Sequence, residues 1–303
     1  MMRISWLGLA LGAGLAFLYA PLAAVIVYSF NASRLVTVWT GFSTAWYTEL
    51  LADRQILAAA GTSLVVGVLS ATLATVVGTA AGFALARFGV FRGRWLFSTA
   101  AIAPLVVPEV ITGLSLLLLF VAAETTVPFL PGRGVATIVL AHASFTMATV
   151  ALIVRARLAG MDREIEDAAG DLGARPATVF FRVTLPMMAP ALAAGWLLAF
   201  VLSLDDVVIA SFVAGPQSTT LPMVVYSSIR LGVSPKINAL AALLVVGTAL
   251  LLGLAALLER VQEKWKPVFR PDTRQNNNLE QVDDSKKHHP ALGRKNQTVS
   301  VRP

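Results

Sequence analysis

Three carboxylates sit where carboxylates are rare: Glu109, Asp205 and Asp206 each lie inside a long run of apolar residues. An acidic side chain near the centre of a membrane helix costs on the order of 2.5–3.5 kcal/mol, so such groups face a bundle interior or water and are pathway candidates. The chemistry open to them is weak, reversible holding of a cation by spaced acceptors that release what they admit. The other reading is structural, with one aspartate bonded to Ser203, Ser211 or a neighbouring helix. Asp205 and Asp206 are adjacent, so on a helix they diverge by about 100° and at most one faces a lumen squarely. Nucleophilic and metal chemistry have little to draw on. The chain has no cysteine, and no lysine follows a glycine, which removes thiolate sites and the Gly-Lys of a phosphate-binding loop. His142, in an apolar setting, reads as a packed, hydrogen-bonded imidazole, and His288 with His289 as no functional metal site. The sequence therefore predicts no catalytic residue, no resident cofactor and no metal.

Composition says what must position these acids. Of 303 residues, 56% are hydrophobic and 14% charged, with a mean hydropathy of +0.73. Soluble domains carry about 25% charged residues, so this is an integral membrane protein. Six apolar runs approach or exceed the about 20 residues that span a bilayer: 6–29, 62–86, 96–122, 134–154, 189–213 and 237–258. The first is longer than the apolar core of a secretory signal and reads as an uncleaved anchor, with cleavage the alternative. The net charge of +7 fits the excess of Lys and Arg on cytoplasmic loops better than nucleic-acid binding. With the N-terminus inside, Arg87, Arg92, Arg94, Arg155, Arg157, Arg163, Arg175, Arg182 and the basic tail are cytoplasmic. Only Arg34, Arg54, Arg133, Arg230 and Lys236 lie outside. Both termini are expected in the cytoplasm.

Further features punctuate these runs. Segment 31–60, with Trp39, Phe42, Trp46 and Tyr47, predicts a short helix in the outer headgroup layer with an aromatic belt. Gly8 with Gly12, and Gly78 with Gly82, permit close helix approach. Pro104 and Pro108 bend the third span beside Glu109. Trp196 reads as an inner interface anchor. Residues 1–265 read as the membrane domain, and 266–303, polar and rich in Asn, Asp, Lys and Pro, read as a disordered cytoplasmic tail.

The second constellation is a charged island, 162–186, between spans four and five. Ile165, Ala168, Ala169 and Leu172 recur at near-helical spacing, among Asp162, Glu164, Glu166, Asp167 and Asp171. Acids in the first turns suit the helix dipole. Gly173 suits a left-handed stop, and Pro176 the first position of a second helix that presents Val179, Phe180 and Val183 before Pro186 ends it. The product is a helix–turn–helix with small residues at its centre. By composition alone it could equally be an amphipathic connector on the membrane face.

Asp167-Ala168-Ala169, Gly173 after three more residues, and Val183-x-Leu185-Pro186 after nine more resemble the EAA motif of ABC importer permeases. Asp replaces the usual Glu at 167, and Val the usual Ile at 183. Residues 198–216, LAFVLSLDDVVIASFVAGP, together with Thr219-Thr220-Leu221-Pro222, Asn238-Ala239 and Tyr28-Ser29-Phe30-Asn31, resemble the permeases of spermidine/putrescine importers. The resemblance covers residues from about 21 to 258. It implies an all-α polytopic protein of the type I ABC importer permease fold, six transmembrane helices with a cytoplasmic coupling helix between helices 4 and 5. It also implies an inner-membrane location, and as partners an ABC ATPase dimer that binds the ATP, a second homologous permease and an extracytoplasmic binding protein. Asp167, Ala168, Ala169, Asp171, Leu172, Gly173 and Pro186 become the ATPase-coupling candidates. Asp205, Asp206 and Glu109 become the candidate polyamine pathway. Two other readings stay open: the same architecture carrying a phosphonate or ferric ion, and a self-sufficient secondary cation transporter using the three acids.

Overall fold

The six apolar runs become helices, but two of them are broken at the acids. In the computed structural model, residues 6–35, 38–126, 132–232 and 234–264 are described. The helices are α1 (Trp6–Tyr28), α2 (Ala45–Ala52), α3 (Arg54–Arg87), α4 (Arg94–Val106), α5 (Glu109–Thr126), α6 (Val135–Ala159), α7 (Glu164–Asp171), α8 (Pro176–Val179), α9 (Leu185–Asp205), α10 (Val208–Val213), α11 (Leu221–Leu231) and α12 (Pro235–Lys264). Apart from one isolated bridge, Asn31 to Phe42, no strand pairing occurs among the described residues. Among the described residues, five helical segments are long and apolar enough to cross a membrane: Gly8–Tyr28, Arg54–Arg87, Glu109–Thr126, Val135–Ala159 and Pro176–Asp205. Arg94–Val106 and Pro235–Leu250 are shorter apolar helices. The chain divides into two compact units, Met1–Leu243 and Leu244–Pro303. The tail expected to be disordered lies outside the described residues.

Within the first unit, α3, α6 and α9 form the central packing. Small residues allow it. A Cβ on Gly78 would come within 2.7 Å of the Met147 carbonyl, and one on Gly82 within 2.6 Å of the Ala151 carbonyl. This is the close approach that small residues permit between membrane helices, where packing rather than water exclusion drives association. Gly12, in the other Gly pair, meets nothing within 4 Å. Val66, Ile138, Ile209 and Val213 fill a second cluster that joins α3, α6 and α10.

Three expectations are corrected. The third span is two helices, not one bent helix: Val107 is extended (φ −75°, ψ 131°) and separates α4 from α5. Pro104 stays inside α4; the break falls just before Pro108, because a proline pushes the preceding residue out of the helical region. The fifth span likewise ends at Asp205, with Asp206 extended (φ −67°, ψ 125°) before α10. Asp205 and Asp206 are therefore not helix neighbours. Finally, Pro186 ends nothing. A π-helical turn, Phe180–Thr184, joins α8 to α9, so one helical rod runs Pro176–Asp205. The Leu185 N–H reaches back five residues to the Phe180 carbonyl, and this wider turn accommodates a proline that would clash with a regular helix.

The segment before α3 is more built than a belt. Asn31 is fully buried; its amide donates to Val38 O at 2.7 Å, and its Oδ1 accepts from Thr40 N at 3.1 Å. Trp46 is buried, with Nε1 donating to Asn31 O at 2.6 Å, so it is core rather than an interface anchor. Trp39 and Phe42 are exposed. Trp196 lies in the middle of α9, stacked on Phe200 and donating to Thr72 Oγ1 at 3.1 Å, which ties it to α3.

Candidate functional site

The elbow between α6 and α9 is shaped by local rules and fixed by distant charges. Glu164, Glu166 and Asp167 occupy the first turn of α7. The helix stops in a Schellman motif: Gly173 is left-handed (φ +85°), its N–H bonds Gly170 O at 2.8 Å, and the Ala174 N–H bonds Ala169 O at 3.1 Å. Satisfying these end carbonyls is what makes a left-handed glycine a helix terminator. Pro176 starts α8, as expected.

Glu166, which carried no role in the sequence reading, holds the elbow to the bundle. Arg87 Nε, at the end of α3, lies 2.9 Å from Glu166 Oε2, with side chains only 9% and 15% exposed. Arg87 Nη1 also donates to Leu158 O at 3.1 Å, and Thr184 Oγ1 donates to Glu166 Oε1 at 2.9 Å. Phe180 packs edge-on against Phe83 at 4.9 Å. Thus α3, α6 and α7 meet at one guanidinium, and the π turn joins them through Glu166 and Phe83. Asp167 is exposed and shares with Glu166 the edge of one hollow. It lines, with Asp171, Gly170, Pro176 and Val179, an open groove of about 500 Å³. Ala168, Ala169, Leu172 and Val183 belong to a second groove of about 540 Å³. No residue of α7 is buried, and Leu172 is 89% exposed. The predicted coupling residues therefore form a ridge flanked by two hollows. Pro186 is the exception, exposed on the rod and lining neither groove.

The second site is the α9–α10 break. Asp206 accepts from the Ile209 and Ala210 N–H groups at 3.3 and 2.8 Å, donors that a helix start leaves unpaired. His142 on α6 reaches it: Nε2 lies 3.0 Å from Asp206 Oδ2, with side chains 2% and 8% exposed. Nε2 is off the line of an aligned hydrogen bond. On the other side of the ring, Nδ1 is 2.7 Å from Ser203 Oγ, which in turn accepts from Ser70 Oγ at 2.9 Å. His142 is hydrogen-bonded, as expected, but within a polar chain and not an apolar setting. Asp206 thus has a neighbouring-helix partner, His142, and backbone partners in α10. Asp205, one residue earlier, is exposed and has no hydrogen-bond partner on another residue among the described residues.

Glu109, the first residue of α5, is also exposed. Helix α5 lies directly on α10: a Cβ on Gly113 would be 2.6 Å from Phe212 and 3.4 Å from the Ile209 Cα. Glu109 precedes Gly113 by one helical turn, as Asp205 precedes Ile209 by four residues. Both broken spans therefore present an acid at their break. The loop after α10 is equally determined. A Cβ on Gly215 would overlap the Arg133 carbonyl at 1.7 Å, Ser218 Oγ accepts from Gly215 N at 2.8 Å, and the Leu221 N–H donates to Ser63 Oγ at 2.7 Å. No cluster of three or more His, Cys, Asp or Glu able to hold a metal occurs among the described residues.

Comparison with known proteins meets this geometry from outside. Residues 74–265 match the family described as binding-protein-dependent transport system inner membrane component. The chain is 52% identical to the putrescine transport system permease protein PotI of Escherichia coli K12, over 87% of this chain and 94% of that protein. It is 39% identical to the spermidine/putrescine transport system permease protein PotC of the same strain, over 82% and 92%. In fold it is similar to a bacterial ABC transporter that imports the acidic polysaccharide alginate, with TM-score 0.63, 15% identity, and 83% and 93% of the two chains covered. The chain belongs to the family of binding-protein-dependent transport system inner membrane components. It is a multi-pass permease of the inner membrane with the type I ABC importer fold, a transport subunit and not an enzyme, in a family whose members work with an ATPase and a substrate-binding protein. A self-sufficient secondary transporter is thereby set aside.

Proposed function

We propose that this chain is one of two related permease subunits of an ATP-driven polyamine importer, with putrescine or spermidine delivered by an extracytoplasmic binding protein. The observation that carries the cargo is the 52% identity to a putrescine permease across nearly the whole of both chains. The exposed acids at the two breaks, Asp205 and Glu109, support it, because a chain of ammonium groups needs weak anionic acceptors along its way. Both termini and the elbow face the cytoplasm in this reading. An ATPase dimer grips the α7 ridge with the Asp167 and Leu172 faces in its cleft, and binds the ATP that this chain does not. Closure of the ATPase draws the two permeases' elbows together and turns the bundle from inward- to outward-facing. The rod Pro176–Asp205 joins the gripped elbow directly to the α9–α10 break. Asp205 and Glu109 meet the cargo; Asp206 shapes the break.

The test is uptake by the assembled importer in proteoliposomes, with labelled putrescine competed by unlabelled spermidine or a phosphonate. Competition by spermidine but not the phosphonate is expected. Asp205→Asn should lower polyamine moved per ATP while the ATPase stays bound. Unchanged transport in that variant would remove Asp205 from the pathway.

A further inference from the structure

We propose that His142 is a positioning residue for cargo passage: it fixes the α9–α10 break from both sides and so holds Asp205 where cargo can meet it. The inference rests on the reading of Asp205 as a cargo-facing acid. One imidazole touches the last turn of α9 through Ser203 (2.7 Å) and the first residue beyond it, Asp206 (3.0 Å). The ring sits on α6, which is locked to α3 by the glycine contacts at Gly78 and Gly82, and Ser70 of α3 completes the chain to Ser203. Ser70 Oγ bonds Ser203 Oγ, Ser203 Oγ bonds Nδ1, and Nε2 faces Asp206. Asp206 uses its remaining acceptor capacity on the first free N–H groups of α10. The backbone is thus held just before Asp205 by Ser203 and just after it by Asp206, which fixes where Asp205 leaves the chain.

This arrangement exceeds what packing requires. A buried histidine needs its polar atoms satisfied, and one neighbouring helix would suffice. Here the two nitrogens serve the two sides of a helix break. The break lies at the end of the rod that begins in the elbow, so motion of the rod reaches His142 before it reaches α10.

The experiment uses the assembled importer with its binding protein in proteoliposomes and reads putrescine moved per ATP hydrolysed. His142→Gln, His142→Asn and Asp206→Asn are each made alone and together with Asp205→Asn. The Gln amide reaches toward the Nε2 position and keeps the Asp206 contact; the Asn amide reaches only Nδ1. His142→Asn should cut putrescine per ATP by about tenfold with the ATPase rate retained, and His142→Gln should restore most of it. Combined with Asp205→Asn, neither should lower the ratio further, because residues acting through one group are non-additive. Asp206→Asn keeps an acceptor for α10, so it preserves the fold and should behave like His142→Asn. Parallel loss of uptake and ATPase, with an unchanged ratio, would reduce His142 to packing. Equal effects in both backgrounds would overturn the route through Asp205. A normal ratio in Asp205→Asn alone, with a low ratio in His142→Asn, would sink the cargo reading of Asp205 and leave His142 acting elsewhere.

Discussion

The elbow and the α9–α10 break each carry two adjacent carboxylates, and the tertiary structure separates each pair in the same way. At the elbow, both acids edge one open groove, but Glu166 is half-buried and paired with Arg87 while Asp167 is exposed. At the break, Asp206 turns inward toward His142 while Asp205 stays exposed. The inward acid fixes backbone; the outward acid is free to meet something else. What differs is the partner. Arg87 is permanently charged and forked, suited to a fixed joint among four elements. His142 is a neutral-capable ring in a chain of hydroxyls, suited to a joint that must yield. The rod that links the two places is anchored by an arginine ion pair at the elbow end and by a histidine contact at the break end.

The largest effect should come from breaking the fixed joint. Glu166→Ala leaves Arg87 buried without its counter-charge, a loss of about 3–5 kcal/mol, readable as a collapse in the melting temperature of the purified permease. Asp167→Asn should leave melting unchanged and weaken only retention of the ATPase. Equal melting losses for the two would break the inward–outward distinction.

At the break the same contrast is smaller. Asp206→Ala strands His142 and two α10 N–H groups, costing about 1–3 kcal/mol. Asp205→Ala should cost less than about 0.5 kcal/mol, like other exposed substitutions. Denaturation in mild detergent distinguishes them.

Next comes the elbow's turn. Gly173→Ala forces a side chain into the left-handed region and should cost about 1–2 kcal/mol, seen as faster dissociation of the ATPase. Gly170→Ala, where an added Cβ meets nothing within 4 Å, is the matched control and should be neutral or slightly stabilising.

The smallest effect belongs to a third acid, Asp53. It accepts from Lys236 at 2.5 Å and caps α3 through the Gln55 and Ile56 N–H groups. The Lys236 hydrogen bond is the foremost influence holding its carboxyl below the ordinary 3.8; partial burial opposes it, and the backbone donors add to the lowering. Because the folded value is depressed, this contribution is complete above 3.8 and fades as pH falls through the lowered value. Asp53→Asn should therefore flatten the acid limb of the stability profile and lower melting slightly at neutral pH, by the contribution that the acid limb no longer loses. An unaltered acid limb would show the pair to be idle.

Much of this was legible locally. Gly173 and Pro176 act within a few residues of themselves, so their roles as stop and start could be read directly. Gly78 and Gly82 announced close approach by spacing alone. The breaks were half legible: Pro108 signalled a disturbance, but a proline inside an apolar run bends or divides a helix according to its neighbours. Nothing of that kind marks Asp206, whose departure from the helix is stabilised by capping α10 and by a histidine on another helix. Pro186 misled because a π turn, a rare geometry, absorbs it.

The sequence by itself determined that the chain enters a membrane, where its helices run, that an acidic elbow interrupts them, and which kind of permease it resembles. Those follow from hydropathy, from charge placement and from turn chemistry, all short-range properties. Only the tertiary structure decided which member of each acidic pair faces inward. Arg87 and Glu166 are 79 residues apart, and His142 and Ser203 are 61. Helical periodicity fixes the angle between residues on one helix, but the direction of a neighbouring helix is set by packing, and that packing chooses each acid's partner.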